Sequence, residues 1–580
     1  MIAKSLLFAL ILAVGAQAQC PPLDTGGPCR CAPSIYEPVA IVCENAGSLA
    51  NALAAVSPAR DIPIDSLTII DTPVPRLQGN AFQGFSIIRL VLNRNGLNQI
   101  DDNAFEGGLI DSLLELDLTD NQLGQVPQTG MPKLRNLRKL YLNRNRIQSL
   151  GPNSFTNYAS REMILKLELA GNRLDDGGLG DETVFRPLRN LEELSLETNE
   201  LTTIPSRSLV NQRQILKNLN LGLNAINEVP VGALDFPRLE SLSLEFNGIA
   251  FILPEAFQGI PNLQYLYITG NKFPSWLPEM FRYVGQLRTL GIGETPISVI
   301  PNNAFQYIPN LVRLEMSEAA VDAIERGAFQ QTPQIQAIVL NKNRLSVVRS
   351  DMFQGLEQLY SIDLQSNRLE TVEQLGFANL PALRHLDISN NQLQTMPDNT
   401  FAGTFQPVPN ERRVIYACGN PWVCDRALEW FRQLLRDNLD IDINKPGCQA
   451  TCAGGPADCF PATWPLRSPD PPCLEPPMQD AVIAGQALSL VGWIILAIIM
   501  TILLTSICLL AFVRYGISNK RKKEKEREAA EDEQRIVSSA ASGYNVGGGQ
   551  SMIGPSYPAS AVDLDLPPAH TLDDRPNYFY

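Results

Sequence analysis

Apolar residues return along most of this chain in one frame, LxxLxLxxNxL. Its copies begin at Ile64, Ile87, Leu113, Leu137, Ile164, Leu191, Leu216, Leu239, Leu263, Leu287, Leu311, Ile335, Leu359 and Leu383, with a degenerate copy at Arg412. Spacings run from 23 to 29 residues and are most often 24. The L-x-L triplet has the period of a short strand, with leucines facing one way and the x positions the other. Behind it stands a recurrent phenylalanine: Phe82, Phe105, Phe155, Phe185, Phe257, Phe281, Phe305, Phe329, Phe353, Phe377 and Phe401. We read these rings as core.

So many copies in series predict a leucine-rich-repeat solenoid of about 14 repeats over residues 64–411. The expected form is an α/β-type horseshoe with a parallel concave sheet and a convex side of loops and 3-10 turns. Asparagine at the ninth position turns the chain out of the strand, and its amide serves backbone groups of adjacent coils. The series breaks at Thr295 and Ala319. A local irregularity is therefore expected at the coils starting at Leu287 and Leu311.

A solenoid exposes its core at both ends and needs caps. Cys20, Cys29, Cys31 and Cys43 precede the first repeat, and Cys418, Cys424, Cys448, Cys452, Cys459 and Cys473 follow the last. Residues 19–63 are read as the N-terminal cap and 412–459 as the C-terminal cap, with Leu428, Phe431, Leu434 and Leu435 on one helical face. Six cysteines allow about 15 pairings, so spacing leaves the second group open. Residues 1–18 read as a signal peptide, which places the cysteines in an oxidising compartment.

Residues 488–513 carry no charge and are long enough to cross a bilayer. The basic run after them, from Arg514 to Arg527, puts residues 514–580 in the cytoplasm. The expected protein is thus a type I, single-pass membrane protein. Residues 460–487 are proline-rich and are read as a stalk. Ala497, Thr501 and Thr505 offer a small-residue face for a homodimer. Tyr578 and Tyr580 at the terminus would suit a cytoplasmic PDZ domain.

The stretch CGNPWVCDRALEWFRQLL resembles the C-terminal cap of extracellular leucine-rich-repeat proteins, with Arg426 where their motif has a second cysteine. Together with CRCAPSIYEP, the uninterrupted repeats and the apolar span, it makes the chain similar to nematode-type, extracellular leucine-rich-repeat-only transmembrane proteins. That resemblance implies apical matrix organisation on epithelia and the maintenance of junctions and lumens. Known N-terminal caps also imply the pairs Cys20 with Cys31 and Cys29 with Cys43.

The extracellular side carries 37 basic and 51 acidic residues, a net −14, which disfavours nucleic acid and favours basic partners. Its one histidine, His385, has no catalytic or metal-binding motif around it, so neither an enzyme nor a cofactor is expected. The loop Asp175 to Glu182 is acidic but lacks calcium-loop spacing. No Asn-x-Ser/Thr sequon occurs. Glu192, Glu193, Glu197, Asn220, Glu245, Phe246, Tyr265, Tyr267, Glu294 and Glu315 are assigned outward on the concave side, where rings beside carboxylates form a candidate protein-binding face. The expected partners are extracellular matrix or cell-surface proteins. The rival readings are a receptor or co-receptor for a secreted ligand and an innate-immune pattern-recognition receptor.

Overall fold

The computed structural model describes residues 20–454, 463–471, 497–510, 513, 514, 516 and 520. Its two units, Met1–Pro476 and Pro477–Tyr580, are treated separately.

In the first unit each repeat contributes one short strand to an 18-stranded sheet. Cys29–Cys31 runs antiparallel to Ala40–Glu44, and every later neighbour is parallel, through Pro63–Ile70 and Ser86–Asn93 to Arg413–Tyr416 and Ile441–Asp442. Register advances coil by coil: Tyr265 faces Thr289, and Thr289 faces Arg313. The middle leucines of successive strands, Leu242, Leu266, Leu290 and Leu314, are fully buried. Each such side chain contributes about 2 kcal/mol of burial. The phenylalanines line the back of the core. Phe305, Phe329, Phe353, Phe377 and Phe401 stack in sequence with centroids 5.3 to 6.2 Å apart.

The convex side carries the expected loops and 3-10 turns and departs only from the α/β label. It is built of turns, 3-10 segments such as Pro254–Phe257 and Pro278–Phe281, and three small parallel strand pairs. A 24-residue coil leaves too few residues behind the strand for a stable helix of two or more turns.

The asparagine ladder is regular in bonding. Asn247 Oδ1 accepts from the Ile226 N–H at 2.9 Å, and its Nδ2 donates to the carbonyls of Leu221 and Leu244. At the break, Thr295 Oγ1 bonds only its own coil, to the Ile292 carbonyl at 3.3 Å. Thr295 thus leaves the Phe273 N–H, and Ala319 the Ile297 N–H, without the asparagine acceptor their counterparts have. The strands pass through unbroken, and the irregularity lies in the turn. Glu318 and Ala320 are both left-handed, with φ of 57° and 58°. Ala319→Asn restores a bond to the Ile297 N–H and is expected to raise stability by about 1 kcal/mol in urea unfolding.

The N-terminal cap holds Cys20–Cys31 and Cys29–Cys43, the pairs that the resemblance implies. In the C-terminal cap, Cys418 bonds Cys448 and Cys424 bonds Cys452. Cys459 and Cys473 lie outside the described residues. The cap helix Glu429–Asp437 buries Phe431 and Leu435 with the preceding Leu428, while Leu434 is partly covered. Arg432 is buried as well, and bonds Glu429 and the carbonyl of Ser468. Residues 463–471, assigned above to the stalk, belong to this cap: Trp464–Pro465 pairs with Thr451–Gly454, and Leu466 is fully buried.

In the second unit residues 497–510 are helical. The hydroxyls of Thr501 and Thr505 bond carbonyls of their own helix. No helix among the described residues is long and apolar enough to cross a membrane. The remainder of 488–513, the signal peptide, Tyr578 and Tyr580 lie outside the described residues, apart from Val513.

Candidate functional site

The outward x positions form parallel rows across the coils, because the strands are in register. At the N-terminal end these rows neutralise themselves. Arg89 bonds Glu37 at 3.2 Å and Glu115 at 3.0 Å, and Lys139 reaches Glu115 at 3.4 Å. Lys166 bonds Glu168 at 3.0 Å and Glu193 at 3.2 Å. Burial opposes its charge, but the two carboxylates hold the ammonium above its usual range. Glu193 therefore faces the basic end. It is three strands, about 14 Å, from Tyr265, on the same coil as Glu197. Glu192 lies before the strand on the opposite rim, bonded to Lys217 at 2.9 Å.

The middle coils bring the other candidates together. Asn220 Nδ2 donates to Glu197 at 3.0 Å, and Tyr265 and Tyr267 both face outward from one strand. Burial raises the Tyr267 phenol to about 12, helped by Glu315, Glu245 and Tyr265, so it remains a proton donor at neutral pH. Its ring leans over the next coil, where a Cβ on Gly291 would lie 3.0 Å from it. Glu315 bonds Arg313 at 2.5 Å.

Phe246 and Glu294 are not on strands. Both occupy the left-handed turn just past the strand, with φ of 50° and 47°. The Phe246 ring lies over Gly270, where an added Cβ would come within 2.4 Å of it. Beside Phe246, on the preceding coil, stands Leu223, 46% exposed and also left-handed. Sequence reading missed Leu223. The signal was present, since Leu223 and Phe246 are consecutive apolar residues in the position just before the ladder asparagine.

The C-terminal end holds a second constellation. Lys445, from the loop closed by Cys418–Cys448, reaches back over the sheet to Asp387 and donates to Gln365 Oε1 at 2.7 Å. Its ammonium sits 5.3 Å from the centre of the Tyr416 ring. Asp363 faces Asp387 across the strands, and it accepts from the Gln365 N–H at 2.9 Å and from Asn341 Nδ2 at 3.3 Å. Burial, reinforced by the Asp387 charge, raises the Asp363 carboxyl to about 6.

His385 Nδ1 lies 3.4 Å from Ser361 Oγ, and burial lowers its pKa. Asp387 is engaged by Ser389 and Lys445 instead of orienting the imidazole, so the three do not form a nucleophilic relay. In the acidic loop, Asp175 caps Gly178, Asp176 accepts from the backbone of Thr202 and Thr203, and Asp181 caps Thr183.

The family pattern described as "Leucine rich repeat" matches residues 85–147, 111–174, 214–273, 317–367, 333–393 and 357–404. Lumican of Gallus gallus is 29% identical over 195 residues, covering 32% of this chain and 52% of that protein. Keratocan of Mus musculus is 30% identical over 229 residues, covering 38% of this chain and 58% of that protein. The chain thus spans little more than half the length of these relatives. A solved leucine-rich-repeat protein of Leptospira interrogans is 22% identical with a TM-score of 0.50, covering 69% of this chain and 99% of that one, a likeness of fold alone. The chain carries leucine-rich repeats and is similar over part of its length to lumican and keratocan.

Proposed function

We propose that this chain is a cell-surface leucine-rich-repeat scaffold that binds extracellular matrix or surface proteins through the middle of its concave face. In this reading it is a single-pass protein of apical epithelial surfaces, a setting that the family resemblance supplies, and the apolar span 488–513 supplies the anchor. The observation that carries the binding reading is the grouping of Tyr265 and Tyr267 on a rigid sheet with Phe246 on the turn of the preceding coil. Rings on a preorganised surface supply contact area at low entropy cost. The similarity to lumican and keratocan supports an extracellular setting.

The test is rescue of cells lacking the protein with two full-length variants, one carrying Phe246→Ala, Tyr265→Ala and Tyr267→Ala, the other ending at residue 527. The triple variant is expected to reach the surface yet lose most of the rescue, while the shortened chain rescues. Full rescue by the triple variant removes the concave assignment. Failure of the shortened chain favours a receptor that signals through its tail.

A further inference from the structure

Every coil leaves its concave strand through a left-handed residue just before the ladder position. A side chain there crowds the following carbonyl, so glycine, asparagine and aspartate suit the place and bulky apolar residues do not. Along this line stand glycines and polar or charged residues, with two exceptions on consecutive coils, Leu223 at φ 52° and Phe246 at φ 50°. Neither is hidden in the core: Leu223 is 46% exposed and Phe246 is half-buried over Gly270. Disfavoured backbone holding apolar side chains at the surface is the pattern of a contact kept for a partner.

The surroundings state the partner's chemistry. On the same and adjoining coils stand Glu197 and Glu245, with Glu294 and Glu315 two and three coils beyond Phe246; Arg313, bonded to Glu315, is the one basic residue among these outward strand and turn positions. The phenol of Tyr267 feels the charges of Glu315 and Glu245. An apolar lip framed by negative charge complements a segment that carries apolar and cationic side chains together.

We infer that Leu223 and Phe246 form the apolar lip of the concave site, and that the lip takes a protein segment combining aromatic or aliphatic side chains with lysine or arginine. This rests on the concave face being the binding surface. It adds a residue, Leu223, and a class of partner.

The experiment titrates the full chain with two synthetic octapeptides, one alternating lysine and phenylalanine and one alternating lysine and serine. The first is expected to bind at least tenfold more tightly. In Leu223→Asn/Phe246→Asn that margin disappears, while the variant melts no lower than the parent, because asparagine accepts the left-handed turn. Ser366→Asn, at the same kind of turn outside the site, keeps the margin. Equal affinities in the parent, or a margin that survives in the double variant, overturn the lip. A double variant that melts lower than the parent refutes the strain argument, and the corresponding glycine pair repeats the binding comparison with no side chain at either position. Tyr265→Ala/Tyr267→Ala tests the concave reading separately, since it falls only if that variant binds both peptides as the parent does.

Discussion

Replacing Lys445 with methionine is expected to lower the unfolding free energy by about 3 kcal/mol, because it leaves the buried Asp387 carboxylate without its cation. Asp387 is 3% exposed, and its neighbour across the strands is a second carboxylate, Asp363. Methionine keeps the length of the side chain and its contact with Tyr416, so the loss reports the charge. The double variant Lys445→Met/Asp387→Asn should recover most of it, since Asp387 then leaves no unpaired charge and Asp363 loses its like-charged neighbour. Urea unfolding of the two single variants, the double variant and the parent gives the coupling directly. A Lys445→Met loss below about 1 kcal/mol would show the pair to be solvent-screened.

The second large effect concerns pH. Asp363 is raised to about 6 in the folded chain from a reference of 3.8, chiefly by burial and also by Asp387. Between those values the folded chain holds a proton that the unfolded chain has released. Stability from this group is therefore complete below about pH 4 and is lost as pH rises through 6. Asp363→Asn removes that loss. The variant should match the parent near pH 4 and exceed it by about 2 kcal/mol above pH 7, as measured by urea midpoints across the range. Parallel pH curves for variant and parent would refute the assignment.

Both effects arise where residues far apart in the chain meet, and this marks what was legible in advance. The repeat frame located each concave strand, and period-2 alternation said which side chains face outward, as Tyr265 and Tyr267 do. Alternation ends with the strand, so Phe246 and Glu294 were assigned to the sheet although they sit on the turn past it. The ladder break at Thr295 and Ala319 was visible as two missing letters. Its structural answer, a second left-handed residue at Ala320, depends on backbone geometry that no letter encodes. Likewise, proline content marked residues 460–487 as a stalk, yet Leu466 and Trp464–Pro465 are drawn onto the cap by packing against Arg432 and Thr451–Gly454.

By itself the sequence determined the solenoid, its phenylalanine spine, its asparagine ladder and the positions of its caps, because each repeat buries its leucines only against another like it and the period must show. Tertiary structure alone decided which charges are neutralised within the sheet, which rings lie down on glycines, and that Lys445 closes over Gln365, 80 residues earlier in the chain. These depend on side chains meeting across coils and caps, where distance in sequence carries no information about distance in space.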